Sequence, residues 1–157
     1  MCSYTFYSHG QGSNNLTIEE AEALVEKDMK VYNEGRLDLA EEYIAENYVE
    51  HTAGYPEDVK GIEGFKKQVT YWRNHYPDFN VTKEELIVKD NRIVWRWTMT
   101  GTDKGTNREV PPTGKKINVE GVGIIQVVNG KFVERLMYFN ELSVLKQLGY
   151  KIIPPNQ

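Results

Sequence analysis

The chain has 157 residues, of which 39% are hydrophobic and 27% charged, and its net charge is -4 at pH 7. That is the size of one domain able to bury a core, and its interspersed charges give no basic field for phosphates, which excludes nucleic-acid binding. No apolar run approaches the ~20 residues needed to cross a bilayer, and the single cysteine, Cys2, cannot form an internal disulfide.

The opening stretch "MCSYTFYSHGQGSNN" has neither the positive nor the apolar region of a signal peptide. Residues 1–16 therefore read as a flexible extension, and a cytoplasmic location is expected. The first element starts at Thr17, which can cap a helix while Glu20 completes a capping box. Ala21, Leu24, Val25, Val31 and Tyr32 then lie on one apolar stripe, and Gly35 ends the helix. "LDLAEEYIAENYVEH" is expected to form a second, shorter helix leading to His51. A third is predicted from Ile62 to His75, stopped by Pro77.

After Phe79 the pattern turns from helical to alternating. "VTKEELIV" and "RIVWRWTMTGT" flank Asp90-Asn91, and "KINVEGVGIIQVV" and "KFVERLMYF" flank Asn129-Gly130, a strong hairpin signal. Ile93, Trp95, Trp97 and Met99 share one strand face. Gly121 and Gly123 are candidate bend sites. "LSVLKQL" makes a last short helix ended by Gly149, and residues 150–157 form a tail. Helices followed by a meander of strands predict an α+β domain over residues 17–149. Three N-terminal helices would pack on a curved antiparallel sheet, closing a cone on an apolar small-molecule cavity.

The segments "VYNEGRLD", "YVEH", "GIEGF", "YPDF", "TGTDKG", "PPTGK", "NGKFVE" and "LKQLG" occur in the order seen in SnoaL-like polyketide cyclases. This family lies within the superfamily of nuclear transport factor 2 and ketosteroid isomerase. The resemblance spans Thr17 to Gly149 and implies an α+β barrel-like cone. It also implies an intramolecular aldol ring closure on a hydrophobic ligand by acid/base chemistry, with no metal or cofactor, and a homodimer. In the family pattern an aspartate usually precedes the glycine of "QLG" by nine residues; here that position is Asn140. A tryptophan is common where this chain has Leu136, and "GTH" reads Gly101-Thr102-Asp103.

Asn140 keeps the size of an aspartate but cannot exchange a proton. It can donate to an enolate oxygen, or simply cap the last helix. His51 matches the family's histidine after the second helix and has the pKa range of a base near neutrality; otherwise it is held by backbone groups at a helix end. Asp28 interrupts the apolar stripe, where a carboxylate must be paired or neutralised. It is therefore either a pocket acid or, at a frayed edge, a partner of Lys27 or another surface cation.

Tyr138 shares strand parity with Leu136 and Asn140, so all three face either the cavity or the far side. Tyr32, Trp72, Trp97 and Glu120 are further candidates for contact with the ligand. Asp78 reads as a turn residue and Glu141 as the start of the last helix. Histidines at 9, 51 and 75 lack metal-ligand spacing, and no phosphate-cradling glycine loop is present.

The expected reaction has His51 removing a proton alpha to a carbonyl while Asn140 and Tyr138 hold the enolate. The alternative is a ligand-binding protein that kept the cavity and lost the family aspartate. A third reading, epoxide hydrolysis, would need a water held between carboxylates, for which Asp28 is the available acid.

Overall fold

The computed structural model describes residues 15–105, 111–151 and 153. Most of the expected N-terminal extension and most of the C-terminal tail lie outside the described residues. Helix α1 (Ile18–Glu34) begins where the capping box places it: Glu20 N–H donates to Thr17 Oγ1 at 3.2 Å, and Thr17 N–H donates to Glu20 Oε2 at 2.9 Å. Gly35 closes it at φ 74°. Its buried face carries Ala21, Val25, Asp28 and Val31.

The second expected helix is largely a strand. After a 3-10 turn (Leu37–Leu39), α2 is a single turn (Ala40–Tyr43), and β1 then runs from Ile44 to Thr52. The run holds aromatic and β-branched residues (Tyr43, Ile44, Tyr48, Val49) that fit either periodicity, and pairing with a distant strand decides in favour of extended chain. A two-residue strand β2 (Val59–Lys60) leads into α3 (Gly61–His75).

Four long strands follow: β3 (Asn80–Lys89), β4 (Arg92–Thr102), β5 (Lys116–Val128) and β6 (Lys131–Phe139); α4 (Glu141–Leu148) comes after them. Asp90 (φ 56°) turns the β3–β4 hairpin, and Asn129 and Gly130 (φ 51° and 72°) turn the β5–β6 hairpin, as a two-residue turn of this hand requires. The sheet order is β2-β1-β6-β5-β4-β3. Because β1 lies parallel to β6, the sheet is mixed rather than wholly antiparallel.

Helices α1 and α3 cover the concave face, α1 against β3 and α3 against β1. The core between them holds Val25, Tyr43, Tyr48, Phe65, Val69, Ile93, Ile125 and Phe132, all almost wholly shielded from solvent. Among the described residues no helix is long and apolar enough to cross a membrane.

Candidate active site

Cross-strand register determines which side chains meet inside the cone, because directly paired residues project to the same side of a sheet. One inward row runs Ile93–Ile125–Arg135–Glu50, and the next runs Trp95–Gly123–Met137–Thr52. A third is Trp97–Gly121–Phe139. Together with Tyr32 from α1 and Gln68 and Trp72 from α3, these rows bound a pocket of about 210 Å³. Tyr55, Glu57, Val59, Tyr71, Phe79, Val81 and Met99 contribute the rest of its wall.

Aromatic rings make most of that wall. Trp97 and Phe139 have ring centroids 6.3 Å apart, Trp72 lies 6.4 Å from Phe139, and Tyr32 stacks on Phe79 at 5.8 Å. Polar groups gather at one end. Glu50 Oε2 accepts from the Tyr48 hydroxyl at 2.7 Å, and its Oε1 accepts from Gln68 Nε2 at 2.7 Å and more distantly from Thr52 Oγ1 at 3.4 Å. Gln68 Oε1 in turn accepts from the Tyr32 hydroxyl at 3.1 Å.

Arg135 joins two carboxylates. Its Nη2 donates to Asp28 Oδ1 at 2.8 Å, and its Nη1 lies 3.6 Å from Glu50 Oε2. Arg135 and Asp28 are sealed from solvent, and the guanidinium sits 5.3 to 5.9 Å from the ring centroids of Phe132, Phe65 and Tyr48. Burial raises the pKa of Asp28 above the usual carboxylate range, against the lowering pull of Arg135. Asp28 Oδ1 also accepts from the Tyr43 hydroxyl at 3.0 Å, while Oδ2 has no partner. For Arg135 burial opposes the charge, but the carboxylates of Asp28 and Glu50 outweigh it and hold the guanidinium protonated. Burial likewise keeps the hydroxyls of Tyr32 and Tyr48 protonated, so both remain donors.

The sequence candidates divide between the two faces of the sheet. Tyr32, Trp72 and Trp97 line the pocket. Asp28 is fully buried but stands behind Arg135, off the pocket wall, and its cation is Arg135 rather than Lys27, which pairs with Glu42 at 2.7 Å. The Arg135 guanidinium stands between Asp28 and Glu50, so the two carboxylates share a cation there.

His51, Leu136, Tyr138 and Glu120 lie on the outer face, a correction to the expectation that they meet the ligand. Val94–Ile124–Leu136–His51 is an outward row, Arg96–Val122–Tyr138 is another, and Glu120 pairs with Thr98 beside them. His51 Nδ1 is 2.7 Å from Asp58 Oδ1, and its Nε2 is 3.8 Å from Glu134 Oε1. Asn140 follows β6 and caps α4, its Oδ1 accepting from Ser143 N–H at 3.0 Å. Glu141 opens α4 and accepts from the Tyr55 hydroxyl at 3.1 Å. Tyr138 is 51% exposed. Asn140, Tyr138 and Glu120 line only an open groove on that outer face.

Asp78 does more than turn the chain. It accepts from Thr102 N–H at 2.6 Å and Thr102 Oγ1 at 2.7 Å, which depresses its pKa.

Glu50, Thr52, Glu57, Gln68 and Arg135 are polar pocket residues that sequence reasoning missed. The signal was available: Tyr48, Glu50 and Thr52 alternate along β1, and Arg135 shares parity with Met137 and Phe139. Reading β1 as helix and following Leu136 and Tyr138 along β6 concealed it. Among the described residues no group of three or more His, Cys, Asp or Glu is placed to hold a metal ion.

The family model for SnoaL-like polyketide cyclases matches residues 22–148. Aklanonic acid methyl ester cyclase DauD of Streptomyces sp. (strain C5) is 25% identical over 129 residues, 80% of each chain. Aklanonic acid methyl ester cyclase DnrD of Streptomyces peucetius is also 25% identical, over 80% of this chain and 88% of its own. Among solved structures, TsrD from Streptomyces laurentii superposes with a TM-score of 0.77 at 25% identity, covering 85% of this chain and 98% of that one. The chain belongs to the SnoaL-like polyketide cyclase family, and with it to cyclase-like enzymes.

Proposed function

We propose that the protein catalyses acid/base chemistry without a cofactor on a hydrophobic carbonyl ligand, with Glu50 as the proton carrier. The observation that carries this reading is a carboxylate, buried and facing a largely apolar pocket, beside the guanidinium of Arg135. Glu50 removes a proton alpha to a ligand carbonyl, and the C–H electron pair moves to the carbonyl oxygen as an enolate. Arg135 and the Gln68 amide both contact Glu50 and can donate toward that developing charge. In a ring closure the enolate carbon then attacks a second carbonyl of the same ligand. A carbon–carbon bond forms, and the new alkoxide takes the proton back from Glu50. Isomerisation uses the same transfer and returns the proton to a different carbon.

A second reading is ligand binding without turnover. It is favoured by the set of donors around Glu50, since Tyr48, Gln68, Thr52 and Arg135 already occupy its two carboxylate oxygens.

The test is alpha-proton exchange of a β-dicarbonyl aromatic ester in D₂O, followed by NMR. Wild type should exchange the proton and Glu50→Gln should be slower by about 10²–10⁴, the usual worth of a positioned base. Equal rates in the two would remove Glu50 from the chemistry. A silent wild type that still binds the ester would favour the binding reading.

We further propose a homodimer through the outer sheet face, where apolar Val94, Val122, Ile124 and Leu136 stand beside half-exposed Tyr138. Light scattering of wild type and Tyr138→Glu checks it: a dimer weakened by the glutamate is expected, and a monomeric wild type would exclude it.

A further inference from the structure

We propose that Gly121 and Gly123 set the depth of the pocket by leaving room against β5 for the two indoles that line it, and that this depth sets how large a hydrophobic ketone the pocket takes. This rests on the pocket being the ligand site, but not on any particular chemistry there.

Backbone conformation gives these glycines no reason to be glycine. Neither has a positive φ, unlike the turn glycines of this chain, and glycine inside a strand costs stability. Their neighbours supply the reason. Gly123 is the direct cross-strand partner of Trp95 and Gly121 of Trp97. On the other side they pair with Met137 and Phe139.

A Cβ at 121 would overlap the six-membered ring of Trp97, with Cε2 only 2.7 Å away. One at 123 would overlap the Trp95 pyrrole ring, lying 2.8 Å from Cδ1 and 3.1 Å from Met137 Sδ. Carbon atoms pack at about 3.5–4.0 Å, so each indole occupies the place of a missing methyl group. In two adjacent rows the sequence Trp–Gly–large therefore makes a hollow in the middle strand, and each tryptophan folds into it.

The inward row on the other side of Trp95 has Ile125 at the equivalent position, between Ile93 and Arg135, and there the interior is filled. The hollow is thus confined to the aromatic part of the pocket. It is lined by the rings of Trp95, Trp97 and Phe139, with Trp72 edge-on to Phe139, at 47° to 77° to one another. An apolar guest is limited by the space between these rings, and its polar function is met by Glu50, Gln68 and Arg135.

A methyl group at 121 or 123 must push the indole off β5, and the open space on its other side is the pocket. The added volume is then subtracted from the ligand.

The test uses two neutral probes, one-ring acetophenone and two-ring 2-acetylnaphthalene, with binding to wild type and variants measured by equilibrium dialysis. Wild type should bind both. Gly121→Ala should lose roughly tenfold or more for the two-ring ketone, the scale on which an apolar pocket discriminates by size, and keep the one-ring ketone within about threefold. Adding Trp97→Phe to Gly121→Ala should restore two-ring binding, which general damage to the fold would not allow. Trp97→Phe alone deepens the pocket and should raise the preference for the larger ketone, so the idea remains testable if Gly121→Ala does not fold.

Equal weakening toward both ketones without rescue would overturn the proposal, as would an unchanged preference in Trp97→Phe. Wild type that binds neither ketone would overturn the ligand class. Failure of the acid/base reading is recognised separately, as normal ketone binding with no proton exchange.

Discussion

Arg135 and Asp28, 107 residues apart, meet at 2.8 Å with neither side chain reaching solvent. The pair ties the last strand of the sheet to the middle of the first helix. Through the other arm of the guanidinium it also reaches Glu50. Two carboxylates share one cation in a site that is otherwise aromatic, so the charge balance of the interior depends on a single residue.

Removing that cation should be among the most costly single changes in the protein. Arg135→Leu leaves Asp28 and Glu50 without their counter-ion and should lower the unfolding free energy by about 3–5 kcal/mol. Arg135→Lys keeps the charge but cannot reach both carboxylates with a planar fork, so its loss should be smaller. Urea denaturation of the two variants measures the order, and a lysine variant as damaged as leucine would mean that packing, not charge, is what Arg135 supplies.

The raised pKa of Asp28 has a defined sign in stability. The folded state holds this proton more tightly than the unfolded chain does, so the stabilisation is complete below the ordinary value of 3.8 and is lost as pH rises through the folded value. The stability of wild type relative to Asp28→Asn should therefore fall as pH rises from about 4 toward neutrality. A difference that stays flat over that range would show that Asp28 is ionised throughout.

Asp78 gives the opposite dependence. Its folded pKa is depressed, first by the Thr102 hydroxyl and then by the Thr102 N–H, so its contribution is present above the ordinary value and lost on acidification through the folded one. Asp78→Ala should cost about 1 kcal/mol at neutral pH, the net worth of a typical hydrogen bond at an exposed site. That cost should shrink in acid; an effect that persists at low pH would point to the turn itself.

His51 and Asn140 offer a test of which face of the sheet does the chemistry. Both lie away from the pocket. His51→Gln should leave alpha-proton exchange within about threefold of wild type, far from the 10²–10⁴ expected when a base is removed. Asn140→Ala should cost about 1 kcal/mol through loss of a helix cap, with exchange unchanged, and Asn140→Asp should keep the cap and gain no activity. Loss of exchange in His51→Gln would return the base to the outer face.

Local signals were legible in the sequence wherever a few neighbouring residues settle the outcome. The capping box of Thr17 and Glu20, the αL stops at Gly35 and Gly149, and the turns at Asp90 and Asn129-Gly130 all stand where their chemistry puts them. The inward face of β4 was also readable, because Ile93, Trp95, Trp97 and Met99 alternate with smaller or polar residues. The family itself could be named from short segments in order, since these report the scaffold.

Parity and partner choice were decided only by the tertiary structure. "YIAENYVEH" satisfies either periodicity, and it becomes a strand because β6 offers it a parallel edge. Along β6 either alternate set could have faced inward; Arg135, Met137 and Phe139 do so because Arg135 lies opposite Glu50 and within reach of Asp28. A one-residue change of parity exchanges every side chain between the two faces. The sequence therefore determined most elements, the turns and the scaffold, while long-range pairing determined which carboxylate faces the pocket.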